Sequence, residues 1–132
     1  MTRLAVDGIR DMVVDDREVV RAGPSYTVDT VESLRAEGVE PVLLVGADAA
    51  AGMPSWHRVD ALAKVEVAVA PRPGTTRLEV EESLGRSVAW LDMPPLDLSA
   101  TDLRRRLAAR MSTRHLVPER VAAYAISRGL YE

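Results

Sequence analysis

The chain has 132 residues, a formal net charge of −3, 47% hydrophobic and 28% charged residues, and neither cysteine nor phenylalanine. That length suits a single domain with a real core, and the lack of cysteine excludes disulfides, cysteine-ligated zinc and thiol catalysis. No apolar run approaches the roughly 20 residues of a membrane span, and no sustained basic excess marks a nucleic-acid binder. Two isolated histidines, His57 and His115, are too few for a histidine-rich metal site. The first eight residues lack the roughly 7–15-residue apolar region of a signal peptide, so the expected compartment is the cytoplasm.

Leu4, Ile9 and Val13 recur at helical spacing and predict a short helix bent at Gly8. Glu18-Val19-Val20 is a short strand candidate, and Gly23-Pro24 marks a turn. A helix is expected from Thr27, with Thr27 as cap, Asp29 and Glu32 at the positive end of its dipole, Val28, Val31 and Leu34 as its apolar face, and Gly38 as terminator. Pro41-Val42-Leu43-Leu44-Val45 reads as a buried strand that turns on Gly46 and presents Asp48 at its carboxyl end. A small-residue loop from Asp48 to Ser55 and a helix from about Ser55 to Lys64 follow. Val65 to Ala70 is a second strand, closed by Pro71-Arg72-Pro73-Gly74. Leu78 to Leu84 reads as a short helix and Ser87 to Leu91 as a third strand. After the Pro-rich loop from Asp92 to Leu98, Ser99 or Thr101 caps a helix to about Ala109. The last helix opens with Pro118 and ends on Gly129-Leu130. Strands alternating with helices point to one α/β domain over residues 1–132 with a largely parallel sheet.

Four segments could carry chemistry, and each has two readings. Asp48, just past a buried strand, could accept hydrogen bonds from ribose hydroxyls or simply cap the next element. Trp56, in Pro54-Ser55-Trp56-His57-Arg58, could stack on a planar ring or anchor a core short of aromatics. His57 reads as a surface or hydrogen-bonded histidine, with no serine and acid placed to complete a triad. Ser99-Ala100-Thr101-Asp102-Leu103-Arg104 could form a phosphate site at a helix start, with Arg104 stabilising charge on a transferring group; otherwise it is a capped helix with a basic face. Gly23-Pro24-Ser25-Tyr26-Thr27 could bind an anion or be a plain loop-to-helix junction.

Taken in order, Gly-Pro-Ser-Tyr-Thr-Val-Asp-Thr (23–30), Gly-Ala-Asp (46–48), Pro-Ser-Trp-His-Arg (54–58), Arg-Pro-Gly (72–74), Leu-Asp-Leu-Ser-Ala-Thr-Asp-Leu-Arg (96–104), Leu-Val-Pro (116–118) and Gly-Leu-Tyr (129–131) resemble the bacterial nicotinate-nucleotide adenylyltransferases, from about residue 17 onward. The resemblance implies a Rossmann-like nucleotidyltransferase fold. It also implies joining of ATP and nicotinate mononucleotide into nicotinate adenine dinucleotide and pyrophosphate, with Mg2+ assisting in-line attack on the ATP α-phosphate. Carried over by position, Tyr26 and Thr27 would hold the nicotinate end, Trp56 would stack on the pyridine ring, and Arg72 would lie near that site. Gly46 and Asp48 would contact adenosine or its ribose, and Ser99, Thr101 and Arg104 the ATP phosphates. The two substrates are the expected partners.

Two departures from the family pattern stand out. Ala100 replaces a hydroxyl of the Ile-Ser-Ser-Thr-x-x-Arg motif, and the family's opening strand with its Phe-Asp-Pro-x-His-x-Gly-His loop has no counterpart. An N-terminally truncated sheet is therefore expected, with the strand at 41–45 lacking its inner neighbour. Such an edge would invite a homo-oligomer or a complementing N-terminal fragment. The alternative function is a catalytically inactive remnant that binds nucleotide or protein. A nucleotidyltransferase with another acceptor, such as phosphopantetheine, is disfavoured by Trp56 and the Gly-Pro-Ser-Tyr-Thr segment.

Overall fold

Alternating Val and Ala residues build the sheet. In the computed structural model, which describes residues 1–131, β1 (Val42–Gly46), β2 (Glu66–Ala70) and β3 (Ala89–Trp90) run parallel in the order β1-β2-β3. Their register sets Leu43 opposite Val67 and Val45 opposite Val69. Because strand side chains alternate between faces, Leu43, Val45, Val67 and Val69 share one side. That side is covered. Val67 and Val69 join Ala47, Ala50, Met53, Val80 and Val88 in one apolar cluster, with Leu43, Val45, Trp56 and Trp90 packed against it. Full burial of each such valine stabilises the fold by about 1.5–3 kcal/mol. The opposite side is open: Val42 and Leu44 are exposed, on a strand that stands at the sheet edge.

The chain divides into two compact units, Arg17–Asp97, which holds the sheet, and residues 1–16 together with the chain from Leu98 onward. In the sheet unit, α2 (Arg17–Val20) and α3 (Thr27–Ala36) precede β1, while α4 (Ala47–Ala51) lies between β1 and β2 and α5 (Arg77–Leu84) between β2 and β3. This is the α/β arrangement with a parallel sheet expected from the alternation of strands and helices, and it agrees with the Rossmann-like fold that the resemblance implies. A second apolar cluster, Val28, Val31, Leu62 and Val65, seats α3, with Leu43 and Trp56 shared between the two clusters. The other unit contains α1 (Thr2–Val6), α6 (Ala100–Ala108) and α7 (Glu119–Ser127), with α7 packed on both α1 and α6. Arg120 there donates to the Asp7 carboxylate at 2.7 Å. Leu130 N–H returns to the Ala125 carbonyl over Gly129 in the left-handed region, the expected helix stop. No helix among the described residues is long and apolar enough to cross a membrane.

Three expectations are corrected. Glu18-Val19-Val20 is not a strand but lies in the one-turn helix α2. Val19 and Val20 stay exposed, no strand is there to pair with, and the backbone satisfies itself locally. Side chains then fasten this turn to α3: Arg17 donates to Ser33 and Glu37, and Thr30 to Glu18. The segment after Asp48 is not a loop but α4 followed by a 3-10 turn at Met53–Ser55. Ala is the strongest helix former, and Ala47 and Ala50 are buried against the sheet. The helix expected from Ser55 to Lys64 shrinks to a 3-10 turn, Val59–Leu62. Trp56 is extended, and Arg58 at φ 51° and ψ 41° breaks helical continuity.

Candidate functional site

The expected site residues fall into three groups. Tyr26 precedes α3 with extended backbone (φ −110°, ψ 145°), and Thr27 is the first helical residue. Tyr26, not Thr27 as expected, holds the cap position, and it makes no side-chain cap bond. Its neighbours Ser25 and Tyr26 join it with Trp56 and His57 around a cleft of about 320 Å³. Trp56 is half-buried and touches both apolar clusters. This tryptophan anchors the core and also walls the cleft. The Tyr26 and His57 rings stack at 4.1 Å between centroids and 28° between planes.

The second group sits at the carboxyl ends of β1 and β2. Gly46 is the last residue of β1 and caps α4, and Asp48 lies in the first turn of α4, where the helix dipole favours a carboxylate. Asp48 Oδ1 is 3.8 Å from Arg72 Nε, and Arg72 Nη1 donates to the Leu96 carbonyl at 3.1 Å. Gly46 keeps ordinary φ, but a Cβ there would meet Asp48 Oδ1 at 2.7 Å. The glycine makes room for the carboxylate. Arg72, expected near the nicotinate end, is thus placed beside Asp48 and is not among the residues lining the cleft of Tyr26.

The third group, in the other unit, is the start of α6. Ser99 Oγ accepts the Asp102 N–H at 3.0 Å, which is the expected cap. Asp102 then engages two of the three consecutive arginines, Arg105 and Arg106, at 2.6 Å each. The guanidinium of Arg106, followed by that of Arg105, holds the Asp102 carboxyl below its ordinary range. Arg104 is turned differently, donating from Nη2 to Thr101 Oγ1 at 3.2 Å. A hydroxyl on the first turn and a guanidinium just beyond it therefore stand side by side on a helix whose leading N–H groups suit an anion.

Sequence reasoning missed Arg58 and Glu32. Arg58 clamps onto α3 through a two-pronged bond to Glu32, at 2.7 and 3.3 Å, and its Nη1 lies 3.8 Å from Asp29 Oδ1. Glu32 was read only as a dipole partner of its own helix. The positive φ of Arg58 had no signal at all, since glycine and asparagine are the residues that announce it.

Among known proteins, the chain is 38% identical over 152 aligned residues to a Pseudomonas fluorescens protein described as a probable nicotinate-nucleotide adenylyltransferase. The match covers 99% of this chain and 71% of that protein. A Bordetella petrii protein of the same description is 38% identical, with 99% of this chain and 70% of the relative covered. One from Dehalococcoides mccartyi is 34% identical, with 99% and 69% covered. No family model matches the chain. At this identity, over nearly all of its length and more than two thirds of each relative, the chain belongs to the nicotinate-nucleotide adenylyltransferase family.

Proposed function

We propose that this chain transfers the adenylyl group of ATP to nicotinate mononucleotide, giving nicotinate adenine dinucleotide and pyrophosphate in NAD biosynthesis. Beyond family membership, one observation carries the reading: the cleft in which Tyr26, Thr27, Trp56 and His57 gather has the size and aromatic wall for a single pyridine ring with its ribose. In this reading Trp56 stacks on the pyridine, and Tyr26 and Thr27 hold the nicotinate end. Asp48 accepts from the ribose hydroxyls of ATP across the gap that Gly46 leaves. Ser99, Thr101 and Arg104 bind the phosphates. The mononucleotide phosphate oxygen attacks the ATP α-phosphorus, a new P–O bond forms, and the bond to the bridging oxygen breaks as pyrophosphate leaves. Arg104 stabilises the charge that accumulates on the phosphoryl oxygens, and the remaining rate gain comes from positioning.

No group of three His, Cys, Asp or Glu side chains converges among the described residues, and the Asp48 carboxylate faces Arg72. This donor set does not fit a resident divalent ion, so Mg2+ enters the proposal as part of the substrate, bound to the ATP phosphates. A second reading, a nucleotide- or protein-binding remnant without turnover, draws on Val42 and Leu44, which stand 53% and 67% exposed on the edge strand. Purified chain incubated with ATP, Mg2+ and nicotinate mononucleotide separates the two. Dinucleotide and pyrophosphate in equal amounts are expected; a folded, monodisperse sample that forms neither would sink the first reading.

A further inference from the structure

Arg58 occupies the left-handed region at φ 51° without being glycine. Backbone strain of this kind persists only where the surroundings enforce it, and it gathers at working sites. Here two contacts on either side of the Trp56-His57-Arg58 segment do the enforcing. On one side the His57 ring stacks on Tyr26, at the entrance to α3. On the other, the Arg58 guanidinium grips Glu32 one turn further along the same helix, with Asp29 between Arg58 at 3.8 Å and Arg21 at 3.7 Å. Both contacts are exposed, so neither is required to fill the core. Beyond Arg58 the chain turns into the 3-10 segment whose Leu62 is buried against Val28 and Val31 of α3.

We infer that the Tyr26–His57 stack and the Arg58–Glu32 fork are a two-point clasp that presets the cleft for a flat heteroaromatic ring. His57 and Arg58 are positioning residues. The inference rests on the reading of this cleft as the nicotinate mononucleotide site and adds to it the residues that hold its aromatic wall in place. The clasp pins the segment bearing Trp56 to the helix bearing Thr27. The two walls of the cleft therefore keep their spacing before a ligand arrives, and the ordering cost of binding is reduced. A planar guanidinium is the appropriate hand for the second point, because its fork fixes direction as well as distance.

The test is calorimetric titration of the full chain with nicotinate mononucleotide, with the thermal unfolding midpoint of every variant recorded in parallel. His57→Ala should raise Kd about three- to tenfold, the worth of one aromatic pair, with the midpoint nearly unchanged. His57→Phe keeps a ring on Tyr26 and should return Kd to within about twofold of wild type. Arg58→Gly removes the strain and the fork together and should weaken binding as His57→Ala does. Glu32→Gln should add little to Arg58→Gly, because the two share one contact. Wild-type affinity in both His57→Ala and Arg58→Gly, or no rescue by His57→Phe, overturns the clasp alone. Failure of the wild-type chain to bind the mononucleotide overturns the reading of the cleft and the clasp with it.

Discussion

Trp56 packs on both apolar clusters and also walls the cleft, so truncating it should harm folding and mononucleotide binding together. For Trp56→Ala we expect a loss of about 2 kcal/mol in urea unfolding, less than for a fully buried tryptophan, together with a raised KM for nicotinate mononucleotide. Arg104 behaves oppositely. It sits on an exposed helix turn and donates to Thr101, so Arg104→Ala should leave stability within about 0.5 kcal/mol. Its turnover should fall about 10²-fold while the mononucleotide KM holds. Steady-state kinetics beside urea melts check both, and a matching profile for the two variants would contradict these roles. At this scale the sequence was legible wherever a residue announces its own conformation. Ser99 is a strong cap former and caps α6. Arg58 gives no such notice, because the partner that holds it, Glu32, lies well away in sequence.

The same contrast governs whole elements. Most helices and strands stand within a residue or two of expectation, but the opening helix stops at Val6 and leaves Ile9 and Val13, expected on its apolar side, exposed. The errors fell on segments of small or mixed residues, where packing decides: the alanines of α4 became helical once the sheet gave them a face to bury. One signal was present and overlooked. Thr76-Arg77-Leu78-Glu79 is a capping box, with Thr76 Oγ1 accepting from Glu79 N–H and Glu79 accepting from Thr76 N–H. It starts α5 at Arg77 rather than Leu78. Thr76→Ala should cost about 1 kcal/mol, measured by thermal or urea melts. The pH dependence follows from the same bonds. The Thr76 N–H, and then its hydroxyl, hold the Glu79 carboxyl below its ordinary 4.5, and the Val88 N–H does the same for Glu81, followed by Arg77. A carboxyl with a lowered folded value binds its proton more readily in the unfolded chain. These two groups therefore stabilise the fold fully above about pH 4.5 and lose that contribution as pH falls through their lowered values. In Thr76→Ala the acid-side loss should be shallower, and an unchanged acid limb would refute the assignment.

Across the whole molecule, sixteen of the seventeen cationic side chains are arginines and Lys64 is the lone lysine. Many of the arginines are committed to carboxylates: Arg3 to Asp16, Arg17 to Glu37, Arg35 to Glu40, Arg77 to Glu81 and Arg120 to Asp7, besides those of the cleft and α6. A chain of net charge −3 in which many arginines are paired to carboxylates is a poor electrostatic match for a polyanion. Duplex DNA or transfer RNA should show no band shift with micromolar chain at roughly physiological salt, whereas the small polyphosphate of ATP needs only a few local donors. A salt-dependent shift would show that the basic stretch from Arg104 to Arg106 recruits polymers after all.

The contact between Gly46 and the Asp48 carboxylate has a historical consequence. Because the obstacle to a Cβ at position 46 is the carboxylate of residue 48, the two positions should change in a fixed order. Asp48→Ala can come first and then admits Gly46→Ala with no carboxylate oxygen to displace, only ordinary contact with the Arg72 side chain at 3.4 Å. The reverse path passes through an intermediate in which the carboxylate is pushed off its seat beside Arg72. Paired selection for the folded chain, rather than for activity, should therefore recover alanine at 46 mainly where 48 has already lost its carboxylate, and equal recovery along both paths would count against this order. The space beside one glycine thus acts as a ratchet on how this turn can diverge.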